Sequence, residues 1–283
     1  MTAFVIFTKN EEKTILKVVE DLKLCLKQIP DIKPVVFICD DSEDKTKERA
    51  EEKGCKIIKG SRKGLGWSYY LALQHLTSKY ELHSIITLDG DGQADFSEIP
   101  AFYREFKQGY SLVVGSRFLK KGLISYSYPK INFFGVKVLA FVISFSCLRR
   151  FTDSHGGLRV MSPSLARSFR FLGGHSYVQE TIIDAVERGL KVKEMPSRWS
   201  KRSFGQSRVV RSQIRYAKQM LIPLLIRMKV HWLFGGGSLI LLFLSEKPVY
   251  IYLMGVCLLI EFYKMRRFKK NREKITSYLS MNS

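Results

Sequence analysis

The 283-residue sequence predicts a doubly wound α/β domain followed by an apolar C-terminal region that attaches the chain to a membrane. In the first half, short apolar runs alternate with amphipathic stretches, which is the pattern of strands that crossover helices bury on both faces. Polar residues follow each apolar run directly, at the point where a parallel sheet binds its ligands. Beyond residue 231, two uncharged runs predict membrane segments.

Five short apolar runs are the predicted strands. They cover residues 3–7, 35–39, 56–58, 85–88 and 112–114. Helical patterns lie between them, and the pattern over residues 12–28 has one apolar face, formed by Ile15, Val18, Val19, Leu22 and Leu26. A helix with one apolar stripe buries it against a sheet, so we expect this helix to cover one face of the strands.

The chain is strongly basic, with 47 Lys and Arg against 26 Asp and Glu and a formal net charge of +21. Such a surface attracts polyanions, namely nucleic acids, anionic lipid headgroups or phosphorylated substrates. Basic residues gather at 59–63, 198–215 and 264–274, and the last group adjoins the most apolar part of the chain, which favours a membrane. Because the sequence has no recognised nucleic-acid module and its acidic strand ends would repel phosphates unless a metal intervened, we expect no nucleic-acid partner.

The five cysteines form no Cys-x-x-Cys pair and lie in apolar surroundings. We interpret them as buried, reduced thiols of a cytosolic domain rather than as a disulfide or zinc framework. The start of the chain has no basic segment followed by a long apolar run, so we expect no signal peptide.

Three segments are predicted to contact the membrane. Residues 128–148 carry apolar side chains at helical spacing, interrupted by Lys130 and Lys137, which favours a helix in the membrane interface over a buried core helix. Residues 232–245 and 248–260 are uncharged and separated by a short polar turn, which predicts a transmembrane helical hairpin. A re-entrant or interfacial hairpin is the alternative.

The predicted domain organisation follows from these segments. An α/β domain covers residues 1–211 and includes the interfacial helix, a multi-pass membrane region covers 212–270, and a basic tail covers 271–283. Positive flanks at both outer ends of the hairpin predict that the α/β domain and both termini are cytoplasmic. The sequence gives no prediction of the oligomeric state.

Asp89 and Asp91 flank a glycine immediately after an apolar run, which makes them candidates for a metal site. At a strand end, the turn lets both carboxylates approach one divalent cation. Mg²⁺ and Mn²⁺ prefer oxygen ligands and keep positions open for substrate phosphates, so this pair with nearby Gln93 suits a metal that bridges a diphosphate. The alternative for an isolated Asp-x-Asp is a solvated turn.

Two other strand ends carry groups suited to a nucleotide. Asp40 and Asp41 can accept hydrogen bonds from ribose hydroxyls or a base edge, or else they cap the next helix. Lys63 and Gly64 precede a helical stretch and can present a lysine and backbone amides to phosphate, or else they belong to a flexible loop. The residues alone leave both alternatives open.

In their order and spacing, these motifs resemble the family 2 glycosyltransferases of the Rossmann-like GT-A fold. The sequence looks most similar to the dolichol-phosphate mannosyltransferases and polyprenyl-phosphate hexose transferases of that family. The resemblance runs from about residue 3 to residue 211 and rests on Asn10-Glu11, Asp40-Asp41-Ser42, Lys63-Gly64-Leu65-Gly66, Asp89-Gly90-Asp91-Gly92-Gln93, Gly115-Ser116-Arg117, residues 153–159 and residues 202–208.

The resemblance implies inverting transfer of a hexose, mannose or glucose, from a GDP- or UDP-sugar to a polyisoprenyl phosphate, either dolichyl or undecaprenyl. It implies that Mg²⁺ or Mn²⁺ and the diphosphate are arranged by Asp89, Asp91 and Gln93. It assigns the donor to Thr8, Asn10, Glu11, Asp40, Asp41, Lys63 and Gly64. The acceptor phosphate is assigned to Arg117, Lys130, Arg202 and Ser203, because guanidinium groups match phosphate oxygens. The expected catalytic residues are therefore Asp89, Asp91, Arg117 and Arg202.

The chain departs from the family pattern at two places. The acidic loop over residues 40–46 is one residue shorter than the usual form. Near the end of the α/β domain, Gly205-Gln206-Ser207-Arg208 stands where relatives have Gly-Glu-Ser-Lys, so the positive charge is kept and the carboxylate is lost.

A second enzymatic hypothesis is a family 2 transferase that acts on a hydroxyl of another glycolipid or glycan. A hydroxyl nucleophile requires a catalytic base, and Glu180 and Asp153 are the candidates. His155, beside two glycines, is interpreted as a structural histidine.

Overall fold

The structure is a computed structural model, and the residues that it describes are 1–29, 32–202, 204, 213–227 and 249–281. The strands are β1 (Thr2–Thr8), β2 (Pro34–Asp40), β3 (Lys56–Lys59), β4 (Ser84–Asp89), β5 (Leu112–Ser116), β6 (Arg159–Met161) and β7 (Val192–Pro196). The α-helices are α1 (Ile15–Leu26), α2 (Thr46–Glu52), α3 (Leu65–Lys79), α4 (Ile99–Lys107), α5 (Lys130–Cys147), α6 (Pro163–Ser168), α7 (Tyr177–Glu187), α8 (Gln213–Arg227) and α9 (Val249–Met281), and a 3₁₀ turn covers Phe96–Glu98.

All seven strands belong to one sheet, in the order β3-β2-β1-β4-β6-β5-β7. β1 pairs in parallel with β2 and β4, β3 with β2, and β7 with β5. β6 runs antiparallel to both of its neighbours, β4 and β5, so the sheet is mixed rather than purely parallel as the sequence predicted. The five predicted strands are confirmed. β6 and β7 were missed because β6 has only three residues and β7 carries a lysine and a glutamate.

Helices cover both faces of the sheet. Along β1, Ala3, Val5 and Phe7 belong to one buried core, whereas Phe4 and Ile6 belong to the other, because successive side chains of a strand point to opposite faces. α3 packs into the first core, and α1 packs into the second with the stripe that the sequence predicted. The doubly wound arrangement is therefore confirmed.

The loops that follow β1, β2, β3 and β4 meet at one edge of the sheet, where glycines permit a close approach. A Cβ at Gly90 would lie 2.6 Å from Thr8 Cγ2, and one at Gly60 would lie 2.3 Å from Asp41 Oδ1. Main-chain hydrogen bonds join the same loops: Gly90 N donates to Phe7 O at 3.0 Å, and Asp41 N donates to Thr8 O at 3.1 Å. The sheet edge is therefore a tightly joined platform.

α5 packs one face on the domain and exposes the other. Leu139 and Ile143 are buried, whereas Phe134 and Phe141 are 69% and 70% exposed, and Leu148, just past the helix, is 92% exposed. Among the described residues, α5 is the one helix that is long and apolar enough to cross a membrane by length and composition, and 28% of it is buried. This burial disfavours the alternative of a core helix, and the interfacial interpretation stays a prediction.

Much of the predicted C-terminal membrane region lies outside the described residues, including 228–248. From residue 249, the second apolar run belongs to α9, which continues without a break past residue 270. Up to Met281, the predicted basic tail is therefore the last part of that helix rather than a separate segment. Asn271 and Ile275 are buried, and Asn271 Nδ2 donates to Phe171 O at 2.8 Å. The sequence missed this packing because the apolar residues of the segment are sparse among lysines and arginines.

α7 and α8 are joined by a buried ion cluster. Arg227 is 1% exposed and lies 3.6 Å from a Glu180 oxygen, 3.1 Å from Asp184 and 3.4 Å from Glu187. Glu180 also accepts a hydrogen bond from Leu172 N at 2.7 Å. Burial raises the pKa of Glu180 to about 7, while the Arg227 charge acts in the opposite direction. Removing one member of such a cluster leaves an uncompensated buried charge, so the cluster fixes how α8 packs against α7.

We expect Gly156→Ala to destabilise the protein, because a Cβ there would lie 1.8 Å from the carbonyl oxygen of Gly115 in β5. Backbone must move to admit the methyl group, at a cost of about 1–3 kcal/mol. Gly135→Ala, within α5, is the matched control, since nothing lies within 4 Å of its added Cβ and alanine is favoured in a helix by about 1 kcal/mol. Urea unfolding measures the free energy of unfolding of each variant. Equal stability of the two variants would contradict this close approach.

Candidate active site

A cleft of about 1360 Å³ opens over the carboxyl ends of the strands. Its walls combine polar residues of the sheet edge with apolar residues of α5. The predicted site residues that line it are Thr8, Asn10, Glu11, Asp41, Gly64, Asp89, Asp91, Gln93, Arg117 and Arg202. The structure thus brings together most of the groups that the sequence singled out.

Asp89 and Asp91 lie at the end of β4, in the middle of the cleft. Burial and the neighbouring Asp91 carboxylate raise the pKa of Asp89 to about 6, whereas the Arg159, Arg117 and Arg202 charges lower it. Two carboxylates that repel one another form a place where a cation is favourable, and carboxylate oxygens suit a hard divalent ion.

The metal assignment concerns the described residues. Within them, no group of three or more His, Cys, Asp or Glu side chains is placed to hold a metal ion. A divalent cation that keeps positions open for substrate needs fewer protein ligands, so the Asp89 and Asp91 carboxylates with Gln93 fit Mg²⁺ or Mn²⁺. Gln93 N donates to Asp91 Oδ1 at 3.1 Å, and Gln93 Nε2 donates to Ser200 O at 2.9 Å. These bonds fix the loop that carries the pair, and the metal site stays a prediction.

Arg202 bridges two of the acidic residues. Its Nη2 donates to Asp91 Oδ2 at 2.8 Å, and its Nη1 donates to Glu11 Oε1 at 3.3 Å. The sequence assigned Arg202 to the acceptor phosphate and Glu11 to the donor, and the structure brings both beside the carboxylate pair. One oxygen of Asp91 is therefore already paired with a guanidinium.

The predicted donor residues form a hydrogen-bonded network on β1 and β2. Thr8 Oγ1 donates to Asp40 Oδ1 at 2.6 Å, and Asn10 N donates to Ser42 Oγ at 2.6 Å. Asp41 accepts from Arg62 N at 2.8 Å, which anchors the β3–α3 loop. Asp40 lies behind Thr8 and does not line the cleft.

Two of the predicted donor segments precede helices, namely α2 and α3. At the start of α2, Thr46 N donates to Asp44 Oδ1 at 3.1 Å, so Asp40 and Asp41 do not cap that helix. Gly64, with φ of 103°, lines the cleft before α3, whereas the Lys63 side chain is exposed and lies outside the cleft lining.

Arg117 is held by an aspartate rather than left free in the cleft. Its Nε and Nη2 donate to the two oxygens of Asp153 at 2.7 and 2.8 Å. The guanidinium also lies 5.6 Å from the Tyr128 ring centre and 5.1 Å from that of Trp199. The Asp153 pairing holds the pKa of Arg117 above its usual range despite burial, and the Arg117 hydrogen bonds hold the pKa of Asp153 below its usual range.

Of the two other predicted acceptor residues, one lies outside the cleft lining and one lies outside the described residues. Lys130, the first residue of α5, is exposed and is not among the residues that line the cleft. Ser203 lies outside the described residues.

The two candidate bases are both in ion pairs. Asp153 is 3% exposed and is paired with Arg117, and Glu180 is fully buried in the Arg227 cluster. Neither residue lines the cleft. His155 does line it, and burial followed by the Arg117 charge lowers the pKa of His155 to about 4, so its imidazole is neutral at pH 7.

Arg159 and Trp199 are among the residues of the cleft wall to which sequence reasoning gave no role. For Arg159, the available sequence signal was the glycine pair in the motif 153–159, which ends at this arginine but gave it no role. A Cβ at Gly157 would lie 2.3 Å from Asp89 Oδ2 and 2.9 Å from Trp199 Cζ2. Glycine is required here because the Asp89 carboxylate and the indole both pack against the main chain.

Comparison with curated proteins gives several relatives. The low-salt glycan biosynthesis hexosyltransferase Agl6 of Haloferax volcanii is 29% identical over 192 residues, which are 67% of this chain and 45% of that protein. The chain thus spans less than half the length of this relative. The dolichyl-phosphate hexose transferase of the same organism is 26% identical over 201 residues, 71% of this chain and 83% of that protein.

Comparison with solved structures supports the fold. Glucosyl-3-phosphoglycerate synthase from Mycobacterium tuberculosis, solved with Mn²⁺, UDP and glucosyl-3-phosphoglycerate, has a TM-score of 0.61 at 17% identity over 81% of this chain and 80% of that one. Mannosyl-3-phosphoglycerate synthase from Rubrobacter xylanophilus has a TM-score of 0.63 at 16% identity, over 81% and 74% of the two chains. The fold is therefore of the GT-A type that the sequence resemblance implied.

The family itself is shown by the sequence. Residues 3–169, more than half of the chain, match the family model described as glycosyl transferase family 2. The matched segment contains all of β1 except Thr2, the strands β2 to β6 and the Asp89–Asp91 pair of the cleft. The chain is therefore a glycosyltransferase that belongs to family 2.

Proposed function

We propose that this enzyme transfers a hexose, mannose or glucose, from a GDP- or UDP-sugar to a polyisoprenyl phosphate at the cytoplasmic face of a membrane. The observation that carries the proposal is the composition of the cleft. One end is lined by the polar ends of β1 and β4, and the other by the exposed apolar side chains of α5, such as Ile131 and Phe134. A ligand with an anionic head and an apolar chain fits such a cleft.

The donor end is supported by the network around Thr8, Asn10 and Asp41, whose side chains and main chain can bond ribose and base. The similarity to a synthase solved with UDP supports a nucleotide-sugar donor. The Mn²⁺ in that neighbour supports a divalent cation, which Asp89, Asp91 and Gln93 would hold. When bound, the cation supplies positive charge to the departing diphosphate.

The state of the two candidate bases supports the acceptor class, because both are paired with arginines and lie outside the cleft lining. A phosphate monoester is already anionic at neutral pH, so its oxygen can attack the anomeric carbon without losing a proton to the enzyme. The carbon–oxygen bond to the diphosphate breaks as the new bond forms, which inverts the configuration and releases the nucleoside diphosphate. The relative named as a dolichyl-phosphate hexose transferase supports this acceptor.

Arg117 and Arg202 act on the acceptor phosphate in this proposal. Arg117 keeps a fixed orientation through Asp153, and fixed guanidinium donors bind phosphate oxygens well. Arg202 already bonds one carboxylate of the pair, so an acceptor phosphate competes with Asp91 for this side chain.

The second candidate, transfer to a hydroxyl of another glycolipid or glycan, requires Glu180 or Asp153 as the base. Both carboxylates are paired with buried arginines and lie outside the cleft lining. The lipid phosphate is therefore the better supported acceptor.

Membrane association is part of the proposal. The exposed apolar face of α5 lies against the cleft, so insertion of this face into the bilayer would bring the cleft opening to the lipid phosphate. The basic residues near the end of α9 suit the anionic surface of a cytoplasmic leaflet.

We expect Asp91→Asn to lower the rate of transfer by about 100-fold or more, because loss of one charge at a site of electrostatic stabilisation costs this much. The variant keeps the side-chain shape, so its thermal unfolding should match the wild type. Asp21→Asn, an exposed acidic residue of α1, is the control and should transfer normally. EDTA should abolish wild-type transfer, and added Mg²⁺ or Mn²⁺ should restore it. Full activity of Asp91→Asn would refute the metal assignment.

Transfer should occur to a polyprenyl phosphate and not to the matching polyprenol, measured by mass analysis of the lipid after incubation with GDP- and UDP-sugars. Arg202→Ala should raise the KM for the lipid phosphate by about tenfold, the value of a charge-assisted hydrogen bond of roughly 1.5 kcal/mol. Arg198→Ala, an exposed arginine paired with Asp95, is the control and should leave this KM unchanged. Glycosylation of the polyprenol would favour the hydroxyl-acceptor alternative.

A fluorophore attached at Phe141→Cys should be quenched by lipids with brominated acyl chains, because this exposed position faces the bilayer in the proposal. The native cysteines of the described residues are buried, which limits labelling elsewhere. Leu24→Cys, at an exposed position of α1, is the matched control and should not be quenched. Equal quenching at both positions would argue against the interfacial role of α5.

A further inference from the structure

Two nitrogen–hydrogen groups of the cleft wall are buried and, within the described part of the chain, have no hydrogen-bond partner. They are Nη1 of Arg159 and Nε1 of Trp199, and these residues are 2% and 6% exposed. A buried donor without a partner costs about 1–3 kcal/mol, so it calls for an explanation. Two such donors in one cleft suggest a ligand that pairs with them.

Both N–H groups lie close to Asp89. The indole of Trp199 and the Asp89 carboxylate pack against the same glycine, Gly157, and the contacting atom Cζ2 is two bonds from Nε1. Arg159 pairs with Thr87 across the sheet, and Thr87 is two residues before Asp89 on the same face of β4. The two N–H groups therefore lie beside the end of β4, next to the carboxylates of Asp89 and Asp91.

Other groups of Arg159 and Trp199 make contacts within the protein, whereas Arg159 Nη1 and Trp199 Nε1 have no hydrogen-bond partner among the described residues. Arg159 Nε donates to Gly156 O at 2.8 Å, and its guanidinium lies 5.3 Å and 5.2 Å from the ring centres of Tyr69 and Tyr177. Trp199 stacks its ring on Arg117, and its main-chain groups bond the segment 123–125. These contacts fix the orientation of both side chains while Nη1 and Nε1 remain unpaired.

The order of the strands indicates which part of a bound nucleotide-sugar would lie near Arg159 and Trp199. The nucleotide residues follow β1 and β2, the carboxylate pair follows β4, and Arg117 follows β5, with β6 between β4 and β5. In a nucleotide-sugar, the hexose is attached to the terminal phosphate and therefore lies between the diphosphate and the acceptor. This order would place the hexose over β6, where Arg159 and Gly157 lie.

We propose that Arg159 Nη1 and Trp199 Nε1 donate hydrogen bonds to hydroxyl oxygens of the transferred hexose and so read its identity. The inference rests on the proposed function, because it takes the donor to be a nucleotide-hexose. Both residues are specificity determinants of the donor site. A site built to bond a hydroxyl rejects a sugar that lacks it, because its buried donors are then left unpaired.

The test measures binding by calorimetry, without a lipid acceptor. The ligands are GDP-mannose, UDP-glucose, the analogues of each that lack one hexose hydroxyl, and GDP and UDP alone. We expect the wild type to bind at least one deoxy analogue about tenfold more weakly than its parent. Trp199→Phe and Arg159→Lys should each reduce such a difference to about twofold, while the Kd for the nucleoside diphosphate stays within about twofold of the wild type. Trp67→Phe, which alters a tryptophan outside the cleft lining, is the matched control and should keep the discrimination.

Equal weakening of every ligand, including the nucleoside diphosphate, would mean that the two residues have a structural role only and would overturn the inference. Wild-type affinities that agree within twofold for parent and deoxy analogues would overturn it without any variant, even where a variant fails to fold. The lipid transfer assay separates this result from the proposed function. Transfer to a polyprenyl phosphate without hydroxyl discrimination would refute only the inference, and discrimination without transfer would refute only the proposed acceptor. A protein that binds neither nucleotide-hexose overturns both.

Discussion

Asp89 and Asp91 bring two negative charges together at the end of a buried strand, and the surrounding groups are arranged to tolerate that repulsion. Arg117, Arg159 and Arg202 all lower the pKa of Asp89, yet burial and the second carboxylate still raise it to about 6. The guanidinium groups thus compensate the pair in part and leave it able to attract a cation. Each arginine is in turn fixed by its own contacts, so the charge balance depends on the packing of several strands.

The close approach of main chains at the sheet edge is a second consequence of that pair. The carboxylate of Asp89 lies over Gly157, and the chain at Gly156 lies against β5, so neither position has space for a side chain. The two glycines permit the turn before β6 to lie close to both β4 and β5. It carries Arg159 to the cleft while its preceding turn leaves space for the carboxylate.

Strand ends were predictable from the sequence because long apolar runs mark buried strands, and parallel strands share one edge for their carboxyl ends. The same reasoning predicted that Thr8, Asp41, Asp89 and Arg117 would lie around one cleft. It did not predict that Asp153 would hold Arg117, because a pairing across 36 residues leaves no local pattern. Arg159 and Trp199 were missed for a related reason. Their importance lies in unpaired nitrogen atoms, which only packing reveals.

Helix α9 joins part of the predicted membrane region and the predicted basic tail in one continuous element. At about 1.5 Å per residue its 33 residues extend about 50 Å, from an apolar first half to a second half that bonds the main-chain oxygens of Phe171 and Leu172. The segment after those residues continues to Gly174, whose carbonyl oxygen would lie 2.0 Å from a Cβ at Gly66 in the first turn of α3. Removal of the second half would leave the main-chain oxygens of the two buried residues Phe171 and Leu172 without their hydrogen-bond donors, beside the first turn of α3. The second half of α9, up to Met281, is thus an integral part of the packing of the α/β domain rather than an appendage.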